Sequence, residues 1–420
     1  MNRRICIVSP GNLASNPRVL KEADALHGAG YDVTAVVCDY TEELRDFDDK
    51  ITAKVPWTVV RVPRPLGERA ISIVADRLAR IIAGTGARVP VVLAGYAHGG
   101  PVSALRRAAL AVPADLYIAH YTAGLAAAAP VARHHRAMLG FDAEDFHSGE
   151  GGDGPGEAFR MKMVETIEAT NLPSCAYVTA ASPLIGKAYA TRYGLASTTV
   201  LNVFPLDLAT ASTCAGAASG EATSLRVYWF SQTIGLDRGL QTFLQAMTRT
   251  RTRVTFDVRG GNQWGGGDRL MALARDLGIG DRVSLLPKAP PDQMVVLAAA
   301  YDVGLSLELE STENRRLCLG NKIFTYLLAG LPVVMSDTPA QCNLAPDLGA
   351  AAILVSLSDP DTIAAALDRL ASSPGALAEA KSVAFRLSRD RYNWNVEKNA
   401  LLRAVAEAFA RREGGPACKQ

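Results

Sequence analysis

The first forty residues constrain the fold more than any other stretch of the chain. Arg4–Ser9 (RICIVS) is a short apolar run that stops at Ser9-Pro10 and reads as a buried strand. A polar turn, Pro10–Asn16, follows. Asn16 is a good helix N-cap and Pro17 a good first helical residue. Val19, Leu20, Ala23 and Leu26 then recur at helical spacing, Gly28 and Gly30 end the helix, and Tyr31–Val37 is apolar again. Strand, loop, helix and strand in that order form a βαβ unit, which implies a parallel sheet.

The same rhythm continues. Trp57–Val62, Asp115–Ile118, Ala137–Phe141 and Ala176–Ala180 read as strands, and Arg69–Ile82, Val102–Ala109, Arg160–Ala169 and Leu184–Tyr193 as helices. Ala209–Ser224 is small, polar and poor in bulky residues, the composition of a linker. Beyond it the alternation restarts. Strands are expected at Arg226–Phe230, Val254–Val258, Val283–Leu286, Val303–Leu307 and Pro332–Met335. Helices are expected at Gly239–Arg249, Leu270–Leu277, Met294–Ala300, Ile323–Ala329, Ala376–Leu387 and Trp394–Arg411. A chain of 420 residues is long enough for two such α/β domains, each with its own core. The expected division is a first domain over 1–208, a second over 225–390, and a C-terminal helix in 391–420 that returns toward the first. Ligands of parallel sheets bind beyond the carboxyl ends of the strands, and two halves of this kind can enclose a cleft.

Composition narrows the function. With 44 Lys+Arg against 42 Asp+Glu the net charge is +2, and aromatics are 6%, which argues against a nucleic-acid binder. Seven cysteines, an odd number with no CxxC pair, do not form a disulfide framework or a zinc ribbon, so a cytoplasmic location is expected. The first apolar run is too short for a signal peptide, and the longest, Leu116–Ala132, is interrupted by His120, Tyr121 and Pro130, so no transmembrane helix is expected. A peripheral membrane contact and a homodimer stay open. All six histidines lie at or before His147.

Four stretches carry candidate chemistry. Ser9–Asn16, with Gly11 and Asn12, sits between a strand end and a helix start, where backbone N–H groups can meet an anion or a sugar hydroxyl. It lacks the dinucleotide GxGxxG pattern, and an ordinary turn is the alternative. Trp229–Leu240 ends a strand in a polar loop whose Arg238-Gly239 opens a helix, a place where a guanidinium suits a phosphate; a surface arginine is the alternative. Asn314–Val334 clusters Arg315, Arg316 and Lys322, with Gly320-Asn321 just ahead of a helix; the helix dipole and Lys322 would act together on an anion. A solvated basic turn is the other reading. Phe141–Glu150 holds Asp142, Glu144, Asp145 and His147 at a strand end, suited to acid–base work or to hydroxyl binding, and weakly to metal ligation. His120 ends another strand on the same edge, as a site residue or as a satisfied structural histidine. The two D-x-D pairs, Asp46-Phe-Asp48 and Asp359-Pro-Asp361, do not follow strands, and the second reads as a helix-capping turn. Gly260-Gly261, after Arg259, allows close approach of a nucleotide or is a plain loop.

These segments resemble the two-Rossmann (GT-B) glycosyltransferases, near the retaining family-4 group. The resemblance rests on Asn16-Pro-Arg-Val-Leu-Lys-Glu-Ala-Asp-Ala-Leu, Val178-Thr-Ala-Ala-Ser, Leu201-Asn-Val-Phe-Pro and Tyr392-Asn-Trp-Asn. Its most specific part is Asn321-Lys-Ile-Phe-Thr-Tyr-Leu-Leu-Ala-Gly-Leu-Pro-Val-Val. It implies an α/β fold of two Rossmann-like domains facing a central cleft, the second binding a GDP- or UDP-linked sugar and the first the acceptor. It further implies transfer with retention and no cofactor beyond the substrate. Arg238 falls on the family's diphosphate lysine, whereas Thr233 replaces its arginine, leaving Lys322 or Arg316 to compensate. The family's paired glutamates fall on Leu317 and Thr325, so both are missing; Glu308, Glu310 or Glu313 could contribute from the preceding loop. Arg238, Lys322 and His120 are the implied catalytic residues, with no metal needed if the cations neutralise the diphosphate. The donor set is Gly11, Asn12, Thr233, Arg259, Gly260, Lys288, Arg316, Gly320, Asn321 and Thr325. The acceptor set is Asn16, Asp142, Glu144, Asp145 and His147. The acceptor is a glycan, a lipid-linked glycan or a specialised small molecule, including a thiol. The alternatives are a non-catalytic nucleotide-binding or scaffold protein, and an epimerase or hydrolase on the same fold.

Overall fold

Parallel pairing runs through the whole chain. The computed structural model describes residues 2–63, 67–154, 156–209 and 224–414. Strands β1 (Arg4–Ser9), β2 (Asp32–Asp39), β3 (Thr58–Pro63), β4 (Leu116–His120), β5 (Met138–Ala143), β6 (Tyr177–Ala180) and β7 (Thr198–Thr199) form one sheet. Its order is β3-β2-β1-β4-β5-β6-β7, and every pairing is parallel. Strands β8 (Ser224–Thr233), β9 (Arg253–Gly261), β10 (Val283–Leu286), β11 (Val303–Ser306), β12 (Val333–Ser336) and β13 (Ala352–Val355) form the second, in the order β10-β9-β8-β11-β12-β13. The architecture is α/β, with two Rossmann-like domains.

The central strands β1, β4, β11 and β12 are buried on both faces and are apolar runs, whereas β9, nearer an edge, alternates buried Val254, Phe256 and Val258 with polar residues. In the second sheet Val227, Trp229, Val254, Phe256, Val258, Leu305 and Val334 pack with Phe243, Leu244, Leu270 and Leu367 from the covering helices. In each sheet the chain reverses its direction of winding once. The reversal lies between β1 and β4 in the first and between β8 and β11 in the second. At such a point the loops leaving neighbouring strands diverge and open a crevice at the carboxyl edge.

Two compact units result. One comprises the chain up to Val200 together with Thr312–Asn314 and the chain from Lys398; the other comprises Leu201–Ser311 and Arg315–Glu397. The division precedes the expected linker Ala209–Ser224, of which residues 210–223 lie outside the described residues. The reason is that Leu201–Leu206 docks on the start of the last helix, Trp394–Gly414. Leu201 N donates to Glu397 Oε1 at 2.7 Å, Trp394 N to Phe204 O at 2.9 Å, and Leu206 N to Asn395 Oδ1 at 3.1 Å. The far part of that helix packs within the first unit: Phe409 stacks on Tyr31, and Arg411 donates to Ala176 O.

The expected elements occur, with small shifts at their ends, but several others were not anticipated. Tyr121–His134 is a helix with Pro130 inside it; its alanines give the sheet-facing side close contact rather than an apolar periodicity. Arg45–Thr52, Val91–His98 and Pro339–Leu348 are helices, and Ala352–Val355 is an edge strand. Asp46 and Asp48 lie in the first turn of Arg45–Thr52, and the buried Asp48 accepts from Asn12 Nδ2 and Ala14 N, both at 2.8 Å. Asp359 caps the helix Pro360–Ser372 by accepting from Asp361 N.

One close approach shows how tightly the second sheet is covered. A Cβ at Gly304 of β11 would lie 2.2 Å from the Tyr326 ring, whose hydroxyl donates to Tyr228 O at 3.2 Å. Overfilling a packed site of this kind costs about 1–3 kcal/mol. Gly304→Ala should therefore lower the unfolding free energy by that amount, read as a lower urea midpoint at an unchanged m-value; an unchanged midpoint would show that the ring is not held there.

Candidate functional site

Each sheet gathers charged side chains at its winding reversal, and the two clusters differ in kind. In the second unit Arg238 follows β8 and Glu308 follows β11. Glu308 is buried, and three cations converge on it. Arg238 Nη1 lies 2.9 Å from its Oε2, Arg315 Nη1 2.8 Å from the same atom, and Lys322 Nζ 3.6 Å from Oε1. Ser336, at the end of β12, accepts from Glu308 N at 3.0 Å and so fixes the backbone beneath it. Burial alone would raise the Glu308 pKa, but Lys322, Arg238 and Arg315 outweigh it and hold the carboxylate below its ordinary value. Lys322 is itself buried over the Trp229 ring at 5.8 Å, and desolvation lowers its pKa despite the Glu308 charge. Counting only these groups, the cluster carries an excess of positive charge.

Around it lie the other residues expected on the donor side. Gly320 is the N-cap of the helix Asn321–Leu328, with no side-chain cap, so amide donors there are left for another partner. Arg316, expected to reinforce Lys322, points elsewhere: it is half-exposed and pairs with Glu310 at 2.9 Å. Successive residues on the short helix Glu313–Leu317 point about 100° apart, so Arg315 is the one that reaches Glu308. Thr325, at the position of a family glutamate, is fully buried and returns its hydroxyl to Asn321 O at 3.0 Å, so it presents nothing to a ribose. Thr233, at the end of β8, accepts from Gln263 Nε2. Arg259 is held by Tyr228 OH and Pro287 O, while the exposed Lys288 lies over Gly261, where a Cβ would fall 2.3 Å from its Cε. Gly260 has no room for a side chain, because a Cβ would lie 2.9 Å from Ser231 O.

In the first unit the cluster is nearly charge-balanced and closed. Arg18, Lys21 and Glu22 lie on one face of the helix Pro17–Gly28, all buried. Arg18 makes a bidentate pair with Asp142 at 2.6 and 2.7 Å and donates to Val200 O. Thr179 Oγ1 donates to Asp142 Oδ1 at 2.5 Å. Burial opposes ionisation of Asp142, but Arg18 prevails and keeps it well below the usual carboxylate range. His120 Nε2 lies 2.5 Å from Glu22 Oε2 and its Nδ1 is 3.4 Å from Asp142 Oδ2. Despite burial, Glu22 raises the His120 pKa. His120 and Asp142 are thus 1% and 3% exposed and engaged with each other's partners, not turned outward as a catalytic base and an acceptor ligand would be. Asn12 and Asn16 are also committed. Asn12 binds Asp48 and accepts from Thr41 N, and Asn16 caps its helix by accepting from Val19 N. Gly11 is partly exposed beside Ser15.

Glu144, Asp145 and His147 lie just beyond this core. Tyr121 has φ +59°, a left-handed conformation that is uncommon for a residue with a side chain, and donates its hydroxyl to Glu144 at 2.9 Å. Asp145 accepts from Asn314 Nδ2 at 2.8 Å; burial first, then Glu144, lift its pKa to about 6. Desolvation lowers the Lys21 pKa to about 7, with Arg18 adding to the effect. Sequence reasoning missed Arg18, Lys21, Glu22, Tyr121 and Asn314. Arg18, Lys21 and Glu22 carried a usable signal, since charges at i, i+3 and i+4 share a face with the apolar positions of that helix. Among the described residues, no group of three or more His, Cys, Asp or Glu is placed to hold a metal ion.

His147 supplies a pH test. Burial disfavours its imidazolium, but the Glu150 contact at 2.8 Å, with Glu168 and Asp145, outweighs that and raises the pKa to about 9. A group that holds its proton more tightly when folded stabilises fully below its unfolded value, near 6.5, and loses that contribution as the pH rises toward 9. The loss should reach at most about 3 kcal/mol. Lys21, with its pKa lowered to about 7, acts on both proteins in the opposite sense, so the difference is the readout: in urea unfolding from about pH 6 to about pH 9.5, the stability of the wild type relative to His147→Gln should fall by this amount. Parallel profiles for the two would refute the pairing.

Residues 226–373 match the family model described as "Glycosyl transferases group 1". That segment includes Arg238, Glu308, Arg315 and Lys322. No curated protein sequence matches the chain. Among solved structures, HepE of Anabaena, in complex with UDP and glucose, has a TM-score of 0.70 at 15% identity over 97% of this chain and 100% of that one. Sucrose-phosphate synthase of Thermosynechococcus elongatus has 0.69 at 15% identity, again over 97% and 100%. A glycosyltransferase of Rickettsia africae has 0.67 at 12% identity over 97% and 99%. The chain has the two-Rossmann (GT-B) fold and resembles the family-4-like glycosyltransferases built on it.

Proposed function

We propose that this protein transfers a sugar from a nucleoside-diphosphate sugar to an acceptor. The observation that carries the reading is the convergence of Arg238, Arg315 and Lys322 on the buried Glu308. It lies at the carboxyl edge of the second sheet, beside the uncapped start of Asn321–Leu328. A departing diphosphate needs neutral surroundings made positive, and fixed cations with backbone amides stabilise the charge that develops as the glycosidic bond breaks. The donor's C1–O bond breaks, the acceptor atom bonds to C1 on the same face, and the acceptor proton passes to the leaving phosphate. Retention therefore needs no protein nucleophile. Because side-chain cations supply the positive charge, turnover is expected to persist in EDTA. UDP is the first nucleotide to try, since HepE has been solved with UDP and with UDP-glucose, and GDP the second. The acceptor is a glycan, a lipid-linked glycan or a small molecule offering a hydroxyl, amine or thiol.

A second reading has one specific support. Leu317 and Thr325 occupy the positions of the family's paired glutamates, and Thr325 is buried. A nucleotide-binding protein without turnover would satisfy the same cation cluster.

The experiment is a thermal-shift titration with UDP and GDP, followed by turnover with the matching sugar donors. A ligand at a hundredfold its Kd stabilises by about 2.7 kcal/mol. Arg238→Ala and Lys322→Ala should each weaken nucleotide binding about 10- to 100-fold, the loss of one charge-assisted contact. Normal binding in both variants would remove the diphosphate assignment. Binding without product from any donor–acceptor mixture would favour the second reading.

A further inference from the structure

The helix Glu68–Gly84 turns Ala75 and Ala79 inward and leaves its larger aliphatic residues outside. Ile71, Val74, Leu78 and Ile81 are 45%, 56%, 48% and 65% exposed. Their spacing of three, four and three places them on one stripe along the helix. Ile73 and, on the helix Val91–His98, Val92 are also about half exposed. Single exposed aliphatics need no explanation, but a continuous row of them does.

The charges beside the stripe are mostly positive. Arg69, Arg77, Arg80 and Arg88 are exposed. Of the acids on the helix, Asp76 is paired with Arg80 at 2.8 Å, and Glu68 accepts from Ser103 Oγ and Ala104 N. Arg69, Arg77 and Arg88 have no acidic partner among the described residues. The helix is 17 residues long and interrupted by these charges, and no helix among the described residues is long and apolar enough to cross a membrane.

We propose that this helix is an in-plane membrane-binding element that takes the surface of a bilayer containing anionic lipid. The aliphatic row would enter the boundary between headgroups and acyl chains, to a depth of about 5–10 Å, with the arginines at the headgroups. Two features disfavour a second copy of the chain as the occupant. Pairing the stripe with itself about a twofold axis brings the two Arg77 side chains together, and like charges there repel. Six half-exposed aliphatic side chains also offer on the order of 500 Å², short of the about 800 Å² per partner in a stable dimer. The proposal does not depend on the nucleotide-sugar reading.

The test is co-sedimentation of the full-length protein with vesicles of phosphatidylcholine alone and with one third phosphatidylglycerol. The wild type should bind the anionic vesicles more strongly than the neutral ones. The double variant Leu78→Ser/Ile81→Ser should lower binding to both by on the order of tenfold. Arg69→Gln/Arg77→Gln should lower binding to the anionic vesicles only. All the changed residues are exposed, so thermal unfolding should match the wild type; this measurement identifies a variant that has lost its fold, and the arginine variant then decides. Absence of lipid-dependent sedimentation, or wild-type binding by the folded serine variant, would overturn the proposal. So would a lipid-free dimer that Leu78→Ser/Ile81→Ser converts to monomer, because the stripe would then be a subunit interface.

Discussion

Parallel strand pairing sets the position of everything chemical in this molecule. A parallel strand cannot be entered by a tight turn, so each connection crosses the sheet as a helix and all strands end on the same edge. Where winding reverses, adjacent loops part. Arg238 and Glu308 follow the two strands that flank that point in the second sheet, as Ser9–Asn16 and His120-Tyr121 do in the first. Both clusters are therefore consequences of topology before they are consequences of particular side chains.

The side chains then decide what each edge can do. In the first unit, Arg18, Lys21 and His120 meet Glu22, Asp142 and Glu144, so the buried charges largely answer one another. Such a network fixes geometry more than it adds stability, because desolvation consumes much of the Coulomb gain. In the second unit one buried carboxylate holds three cations. Glu308 keeps Arg238, Arg315 and Lys322 from repelling one another apart, and among these four groups the charge is in positive excess. A dianionic or trianionic group complements that excess, and the cations need little reorganisation to receive it.

The fold was legible in the sequence because buried parallel strands are written as short apolar runs between helical periods. RICIVS and the Asn16-Pro17 start map onto β1 and its helix with the expected cap. Elements with no apolar period escaped. Tyr121–His134 packs through alanines, and Arg45–Thr52 buries Asp48 as its only buried residue. In the site, the basic cluster was legible as composition, but not which arginine turns inward. Arg315 and Arg316 are sequence neighbours, and only the phase of a five-residue helix sends one to Glu308 and the other to Glu310. The roles of Asn12, His120 and Asp142 were likewise illegible, since polar residues at strand ends look alike whether they face a ligand or one another.

The missing glutamates at Leu317 and Thr325 acquire a physical meaning from this arrangement. Thr325 is one turn into a helix buried from Lys322 onward, with its hydroxyl returned to Asn321 O. A carboxylate there would have to be desolvated beside Lys322, one turn earlier, which is already engaged with Glu308. The negative charge that this edge does contain sits instead at Glu308, two residues beyond β11, where Ser336 fixes its backbone and three cations offset its desolvation. Moving the carboxylate from the helix to the strand end changes what it can contact. It holds Arg238, Arg315 and Lys322 together at this edge, while Arg259 and Lys288 lie at the ends of the neighbouring strands.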